Sequence, residues 1–343
     1  MRVRLGTVLL AFSFCGIADD GATVNSVVAA VRASIARKSK DAGTARSLDK
    51  MKLAQHLEDR VIEILESEGA GLQTLGALQR MRDASRLLPA PPGPPPGMTP
   101  PPPPSFAEEH RVWQATGVKA LDYTRSLPDF ICSETVHRWI DPAGNEEWQP
   151  APTLIADLTF FDRQEHYKLL TVDGKKSEQS LPDVAGATSQ GEFGSMLATI
   201  FHPASETDFR WDHWTTLRKR STYVYFFRIT AAHRPYKLRF GTGANAATAP
   251  AGLHGYVYID RETDSVTRIS AHAEDIPAGF PVQESSTVLD YDYADVGGKR
   301  FLLPLRAEVR IDSRNVKNLN SVEFQKYRKF SAEGSVSFGE GKQ

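Results

Sequence analysis

The sequence predicts an α+β protein: a large, curved antiparallel sheet forming an open half-barrel with packed helices, preceded by a small helical module. Three observations predict it. Residues 253 to 330 alternate with period two between turn residues, as Tyr256, Tyr258 and Asp260 do against Val257 and Ile259, which is the pattern of strands with two distinct faces. Residues 24 to 88 instead repeat apolar side chains at three- and four-residue spacing, the helical period. Between the two patterns lies the run LPAPPGPPPGMTPPPPPS, which sustains neither a helix nor a ladder because proline removes the donor N–H and fixes φ.

The chain opens Met1-Arg2-Val3-Arg4 and continues with an apolar run from Leu5 to Ala18. A basic start, a short apolar run and small residues at its end describe a secretory leader. Residues 1–18 are therefore expected to be a signal peptide cut after Ala18, and the address periplasmic or secreted. The run is short for a membrane span, which sets the leader reading against an uncleaved anchor. A lipid-modified Cys15 is a third reading, and the bulky Phe14 before it argues against that. No later segment is apolar enough to cross a bilayer. Cleavage would leave Cys132 as the one thiol, with no intramolecular disulfide even in an oxidising compartment. In FICSETV it reads as a small buried strand residue.

Residues 19–88 form the helical module. Val24, Val27, Val28, Val31 and Ile35 mark one helix. Leu57, Val61, Ile64 and Leu65 mark a second, Gly69-Ala70-Gly71 breaks it, and Leu72, Leu75, Leu78 and Met81 resume it. The result is a helical hairpin with one helix before it. It reads either as a self-packed cap or as a module that docks a protein partner. Basic Arg32, Arg37, Lys38 and Lys40 are followed by Asp41 and Asp49, and the formal net charge of −1 gives no field favouring nucleic acid. Residues 89–104 are expected to be an extended polyproline II spacer. A role as ligand for a proline-binding domain suits a cytosolic setting and clashes with the leader.

The β half-barrel is expected over residues 105–338. It starts with a helix: Ser105 as N-cap, Glu108 completing a capping box, Val112, Val118, Leu121 and Tyr123 as apolar positions, and Pro128 as its end. Strands follow at Phe130 to Ile140, Thr153 to Phe161 and His166 to Val172, with Asp173-Gly174 as a hairpin turn. Lys175 to Gln190 reads as a loop. Phe193, Met196, Leu197, Ile200 and Phe201 read as a short amphipathic helix stopped by Pro203. Phe209 to Trp214, Thr222 to Ile229 and Tyr236 to Phe240 are further strands, and Gly241 to Gly252 is a small-residue loop. Gly297-Gly298 is the sharpest turn of the closing stretch, and Pro304 marks an edge strand or a bulge. About ten strands with short connections suggest one antiparallel sheet that curls.

VYIDRETDSVTRI, LDYDYADVGGKRFLLPLRAEVRI and VEFQKYRKF together resemble the second half of the periplasmic lipoprotein-carrier fold, the LolA/LolB-like superfamily. Asp260 and Thr263 stand at its Asp-x-x-Thr turn, Gly298, Leu303 and Pro304 at the glycine and the Leu-Pro of its Gly-x-x-Leu-Pro segment, here with four residues between glycine and leucine, and Tyr327 at the centre of its terminal strand. LPDFICSETV and GEFGSMLATIFHPASETDFRW are also similar to secreted acidobacterial proteins. The resemblance covers residues 105 to 338 and implies an unclosed barrel around helices, with an apolar cavity for acyl chains. The helical module and proline-rich spacer depart from that pattern.

For a ligand-facing wall the sequence offers Phe193, Met196, Leu197, Phe201, Trp211 and Trp214, with Phe209 beside them. Half-barrel cavities are lined this way, and so are ordinary cores. Histidines 202, 213, 233, 254 and 272 lack metal-site spacing. Asp260, Glu262 and Asp264 lack the ligand count and glycine of a calcium loop. Glu192, Glu206, Asp208 and Asp212 fit a carboxylate pair only if geometry joins them. No nucleophile elbow, phosphate loop or dinucleotide fingerprint is present. The expectation is a non-enzymatic binding protein with no metal or cofactor, holding a lipid, lipoprotein or other apolar ligand. The alternative is an envelope scaffold whose helical module docks a protein.

Overall fold

The computed structural model describes residues 21–92, 101–145, 147–178, 194–232, 236–241, 246–314 and 316–330. The leader-like residues 1–18 and the middle of the proline-rich run lie outside them. The described residues fall into two compact units, one comprising 21–92 with Thr216–Lys219, the other 101–215 with 220–330.

The helical unit holds α1 (Val24–Ala36), α2 (Asp41–Leu48), α3 (Asp59–Ser67) and α4 (Leu72–Ala84). Its apolar stripes pack on one another: Val24, Val27, Val28 and Val31 share a core with Leu57, Val61, Leu65, Leu75, Leu78 and Met81. Leu72, expected in the stripe, is instead 46% exposed. Helix α2 adds to the expected set, and it carries little apolar signal, since Ala45 and Leu48 are its only buried apolar residues. A polar device holds it. The Asp41 carboxylate accepts from the backbone N–H groups of Gln73 (2.8 Å) and Thr74 (3.0 Å), capping α4 from across the unit. Those amides begin a helix and have no partner within it. Gly71 permits the approach, since a Cβ there would lie 2.3 Å from the Asp41 carboxyl carbon.

In the second unit Ser105 caps α5 (Phe106–Ser126) by accepting from the Glu108 N–H. The apolar face is not quite the expected one. Val112, Thr116, Ala120 and Tyr123 are buried, whereas Val118 is 70% and Leu121 40% exposed. The short α6 is Ser195–Phe201, followed by a 3-10 turn at Pro203–Ser205. Both helices contribute to one core with the sheet.

The strands are β1 (Phe130–Asp141), β2 (Gln149–Phe161), β3 (Gln164–Val172), β4 (Lys175–Lys176), β5 (Asp208–Leu217), β6 (Arg220–Ile229), β7 (Tyr236–Phe240), β8 (Ala247–Asp260), β9 (Val266–Glu274), β10 (Val282–Val296), β11 (Lys299–Ser313) and β12 (Lys317–Lys329). They form one antiparallel sheet in the order β4-β3-β2-β1-β12-β11-β10-β9-β8-β6-β5, with β7 paired to β8. Its two end strands, β4 and β5, do not pair, so the sheet stays open. Two loop expectations fail in part, over described residues; 179–190 and 242–245 lie outside those. Lys175 and Lys176 pair with Val172 and Thr171, and Ala247 to Ala251 pair with β7 because Ala249 and Ala251 are small enough to bury beside Leu238 and Phe280.

One row of registered residues shows why the sheet has a dry face. Leu154, Val136, Val322, Ala307, Leu289, Ile269, Val257 and Tyr225 stand side by side on eight successive strands, and all are buried in the core that takes α5 and α6. One residue along, the side chains point the other way. That row holds Glu323, Arg306, Asp290, Arg268 and Tyr258. There the buried Asp290 accepts from Arg268 (2.6 Å) and Arg306 (2.7 Å).

Four two-residue turns connect hairpins. Asp162-Arg163, Asp173-Gly174, Arg218-Lys219 and Gly297-Gly298 have positive φ at both positions. This is the turn whose twist matches the flanking strands.

Candidate functional site

The sheet splits at one end of β11 and β12. Pairing between them runs from Asp312↔Lys317 to Arg306↔Glu323 and stops. Beyond that point residues 299–304 of β11 pair only with β10, through a register shift that places Tyr291 opposite Pro304. On the other side β12 pairs only with β1, through a shift at Ile131/Ser133, where Lys326 takes positive φ. Pro304 thus sits beside a bulge, in a stretch of β11 that pairs on one side only.

A cavity of about 400 Å³ occupies the split. Leu303, Pro304 and Leu305 of β11 and Phe324 and Tyr327 of β12 give it an apolar lining, with Asp292, Asp295 and Lys326 also along it. Two tyrosine hydroxyls bond carbonyls in the separated part of β11. Tyr327 Oη donates to Pro304 O at 2.6 Å, and Tyr123 Oη, from α5, donates to Leu302 O at 3.0 Å. Burial pushes both phenols well above the ordinary tyrosine value, so they remain neutral donors. Tyr123 stands 5.7 Å from Tyr291, and Phe130 lies 5.4 Å from Tyr327 and 5.3 Å from Phe160, measured between ring centroids. The cavity is therefore backed by a packed aromatic cluster, a setting suited to apolar contact rather than to proton transfer.

The wall residues read from the sequence lie elsewhere. Phe193 lies outside the described residues. Leu197 and Trp214 are buried, and Met196, Phe201 and Trp211 are half-buried against the same core. Phe201 sits 5.6 Å from Phe209, which stacks 4.1 Å from Trp113 of α5; Trp113 is 4.4 Å from Tyr225, and Trp211 bridges Tyr225 (5.3 Å) to Trp214 (5.0 Å). This ladder fills its own space with rings. None of these residues lines the cavity in the split. Leu303, Pro304 and Tyr327, by contrast, do line it. They carried the family resemblance but were not read as site residues. The available signal was Pro304, because a proline inside a strand pattern marks interrupted pairing.

No family model matches the chain, and no curated protein matches it. Solved structures give distant likenesses. One is a DUF1329 family protein from Desulfovibrio piger, at 7% identity and TM-score 0.34, covering 67% of this chain and 94% of that one. Another is a proposed outer membrane lipoprotein-sorting protein domain from Vibrio parahaemolyticus, at 7% identity and TM-score 0.29, covering 68% and 93%. A third is the MucA/MucB complex of Pseudomonas aeruginosa, at 12% identity and TM-score 0.17, covering 65% and 100%. Likenesses this weak carry no functional argument.

The remaining candidates resolve into structure. Asp260 ends β8 and is 1% exposed. Its Oδ1 accepts from the N–H of Glu262 (2.9 Å) and Thr263 (2.8 Å) and from Thr263 Oγ1 (3.0 Å), while Arg220 holds its other oxygen. Burial opposes its ionisation, but Arg220 and Thr263 outweigh that and keep its pKa below the ordinary aspartate value. Asp264 is held by Arg111 at 2.7 Å. Both carboxylates are paired with arginine guanidinium groups. His254 and His272 face each other across β8 and β9 at 5.6 Å, which their sequence spacing did not reveal. Among the described residues no three His, Cys, Asp or Glu side chains are grouped to hold a metal ion. Cys132 is buried and burial pushes its thiol far up, which makes it inert.

Proposed function

We propose that this chain is a non-enzymatic binding protein of the cell envelope that holds an apolar ligand, such as a lipid or lipoprotein acyl chain, in the split between β11 and β12. The observation that carries this reading is the cavity of about 400 Å³ with its apolar lining, Leu303, Pro304, Leu305, Phe324 and Tyr327. Its size falls in the range of small-molecule sites. Burying about 200 Å² of apolar ligand surface contributes about 5 kcal/mol, which corresponds to sub-millimolar affinity before ordering costs. A site of that strength releases its ligand readily, as a carrier must. Asp292, Asp295 and Lys326 would meet the polar end of the ligand. The leader-like start supports the envelope address, and no described helix is long and apolar enough to cross a membrane.

The test uses the full chain and a fluorescent fatty acid. The unaltered protein should bind it saturably, and Ala294→Trp, which fills the cavity from β10, should weaken binding at least tenfold. Organic extracts of protein purified from the envelope should also yield an apolar molecule by mass spectrometry. Equal binding by the two proteins, together with empty extracts, would overturn the reading.

A further inference from the structure

We propose that Trp211, Trp214 and Tyr223 form a polyproline-binding site whose occupant is the chain's own run Pro101–Pro104. Every residue of that run lacks a backbone donor, and each proline forces its predecessor into extended backbone. The segment has no internal hydrogen bonds, and its carbonyls stand out as free acceptors. One is taken. The indole Nε1–H of Trp214 donates to Pro102 O at 2.8 Å. Indole is a donor with no acceptor function, so it suits a chain that offers acceptors alone.

The donor is built into place. Trp214 is only 7% exposed, with Trp211 at 5.0 Å and Tyr223 at 4.6 Å between ring centroids. The Arg261 guanidinium lies over its ring at 4.9 Å. Glu108 orders this corner. Its carboxylate accepts from Tyr223 Oη at 2.6 Å and lies 3.7 Å from Arg261. Glu108 is also the residue whose N–H is capped by Ser105, directly after the last proline. The residues that start α5 thus brace the indole that takes the carbonyl of Pro102. Aromatic corners with an N–H aimed at a prolyl carbonyl are a general way of recognising polyproline II. The tether supplies an effective concentration of about millimolar, so a weak site stays filled. The reading is independent of the cavity between β11 and β12.

The experiment follows the Trp214 indole N–H by NMR in full-length protein, with W214F used to assign its resonance. In the unaltered chain the indole hydrogen should exchange slowly and ignore added acetylated decaproline. Changing Pro101, Pro102, Pro103 and Pro104 to Ser should speed that exchange about five- to tenfold, the worth of one hydrogen bond. It should also let decaproline shift the resonance saturably. Exchange in the unaltered chain as fast as in free indole would overturn the proposal whether or not the substituted chain folds. So would a substituted chain whose indole decaproline leaves unmoved. Protection that rises with protein concentration would assign the occupant to a second copy and overturn the assignment in cis.

Discussion

Replacing Asp260 tests whether the β8–β9 turn is held by a buried charge. Asp260→Ala removes the acceptor for two backbone N–H groups and the Thr263 hydroxyl, and it takes from Arg220 its buried carboxylate, leaving the exposed Glu262 at 3.9 Å. Breaking a buried ion pair costs about 3–5 kcal/mol. Arg220 is 32% exposed, so water recovers part of that, and we expect a loss of about 3 kcal/mol. Asp260→Asn keeps an acceptor for the turn and loses only the charge, for a loss of about 1.5 kcal/mol. Urea unfolding followed by tryptophan fluorescence measures this cleanly, because all 5 tryptophans (113, 139, 148, 211 and 214) belong to the β unit. The pH dependence has a definite sign. The folded pKa of Asp260 is depressed, so its stabilisation is full above the unfolded aspartate value of about 3.9 and is lost as pH falls through the lower folded value. The gap between unaltered protein and Asp260→Ala should stay level from about pH 5 to 8 and narrow below about 4. A loss under about 1 kcal/mol, or a gap that widens in acid, refutes the reasoning.

Other substitutions probe separate links. Gly255 has φ +155°, and a Cβ there would meet Ser270 O at 1.9 Å, so Gly255→Ala should cost more than about 3 kcal/mol or abolish folding of the β unit, read by circular dichroism. Tyr327→Phe removes the donor to Pro304 O, should cost about 1 kcal/mol and should raise hydrogen exchange in residues 299–305. Asp41→Ala uncaps α4 and should cost the helical unit about 1–2 kcal/mol, visible as a lower midpoint in far-ultraviolet circular dichroism. Val118→Lys lies on the exposed face of α5 and should change stability by no more than about 0.5 kcal/mol.

Much of the architecture was legible because it rests on local rules. Period-two alternation placed the long strands, Ser105 and Pro128 bracketed α5, and Asp173-Gly174 and Gly297-Gly298 announced their turns. The other two tight turns were not legible. Arg163, Arg218 and Lys219 carry positive φ although such residues ordinarily avoid it, and Asp162, which tolerates it, has no glycine beside it to announce the turn; strand pairing on either side imposes the conformation. The α2 helix was missed because Asp41, not an apolar stripe, anchors it. Ala247 to Ala251 looked like a loop because small residues carry no strand signal of their own; their pairing with β7 depends on Phe280 and Leu238 closing over them. On α5, Thr116 and Ala120 are buried where Val118 and Leu121 were expected, because the helix turns toward the sheet the face from which Tyr123 reaches Leu302 and Thr116 reaches Asp264.

The site was less legible than the fold for a related reason. Aromatic residues crowded into Phe201 to Trp214 invite a ligand wall, yet rings spaced about 4–6 Å apart satisfy one another. Their neighbours Trp113 and Tyr225 arrive from distant parts of the chain. A cavity in a sheet needs the opposite condition, a place where neighbouring strands stop pairing. Here it takes two irregularities on facing strands, one at Pro304 and one at Lys326. The first is visible as a proline, whereas the second has no residue signature, since lysine is not a residue that favours positive φ. Only the register of β12 against both β1 and β11 shows that the two irregularities fall at the same height. That coincidence separates the strands and gives Tyr327 a free carbonyl to hold. It follows that closing the split by restoring regular pairing, for instance with Pro304→Val, should stabilise the sheet and abolish binding of an apolar ligand together. A variant that is more stable and still binds the fluorescent fatty acid would place the ligand elsewhere.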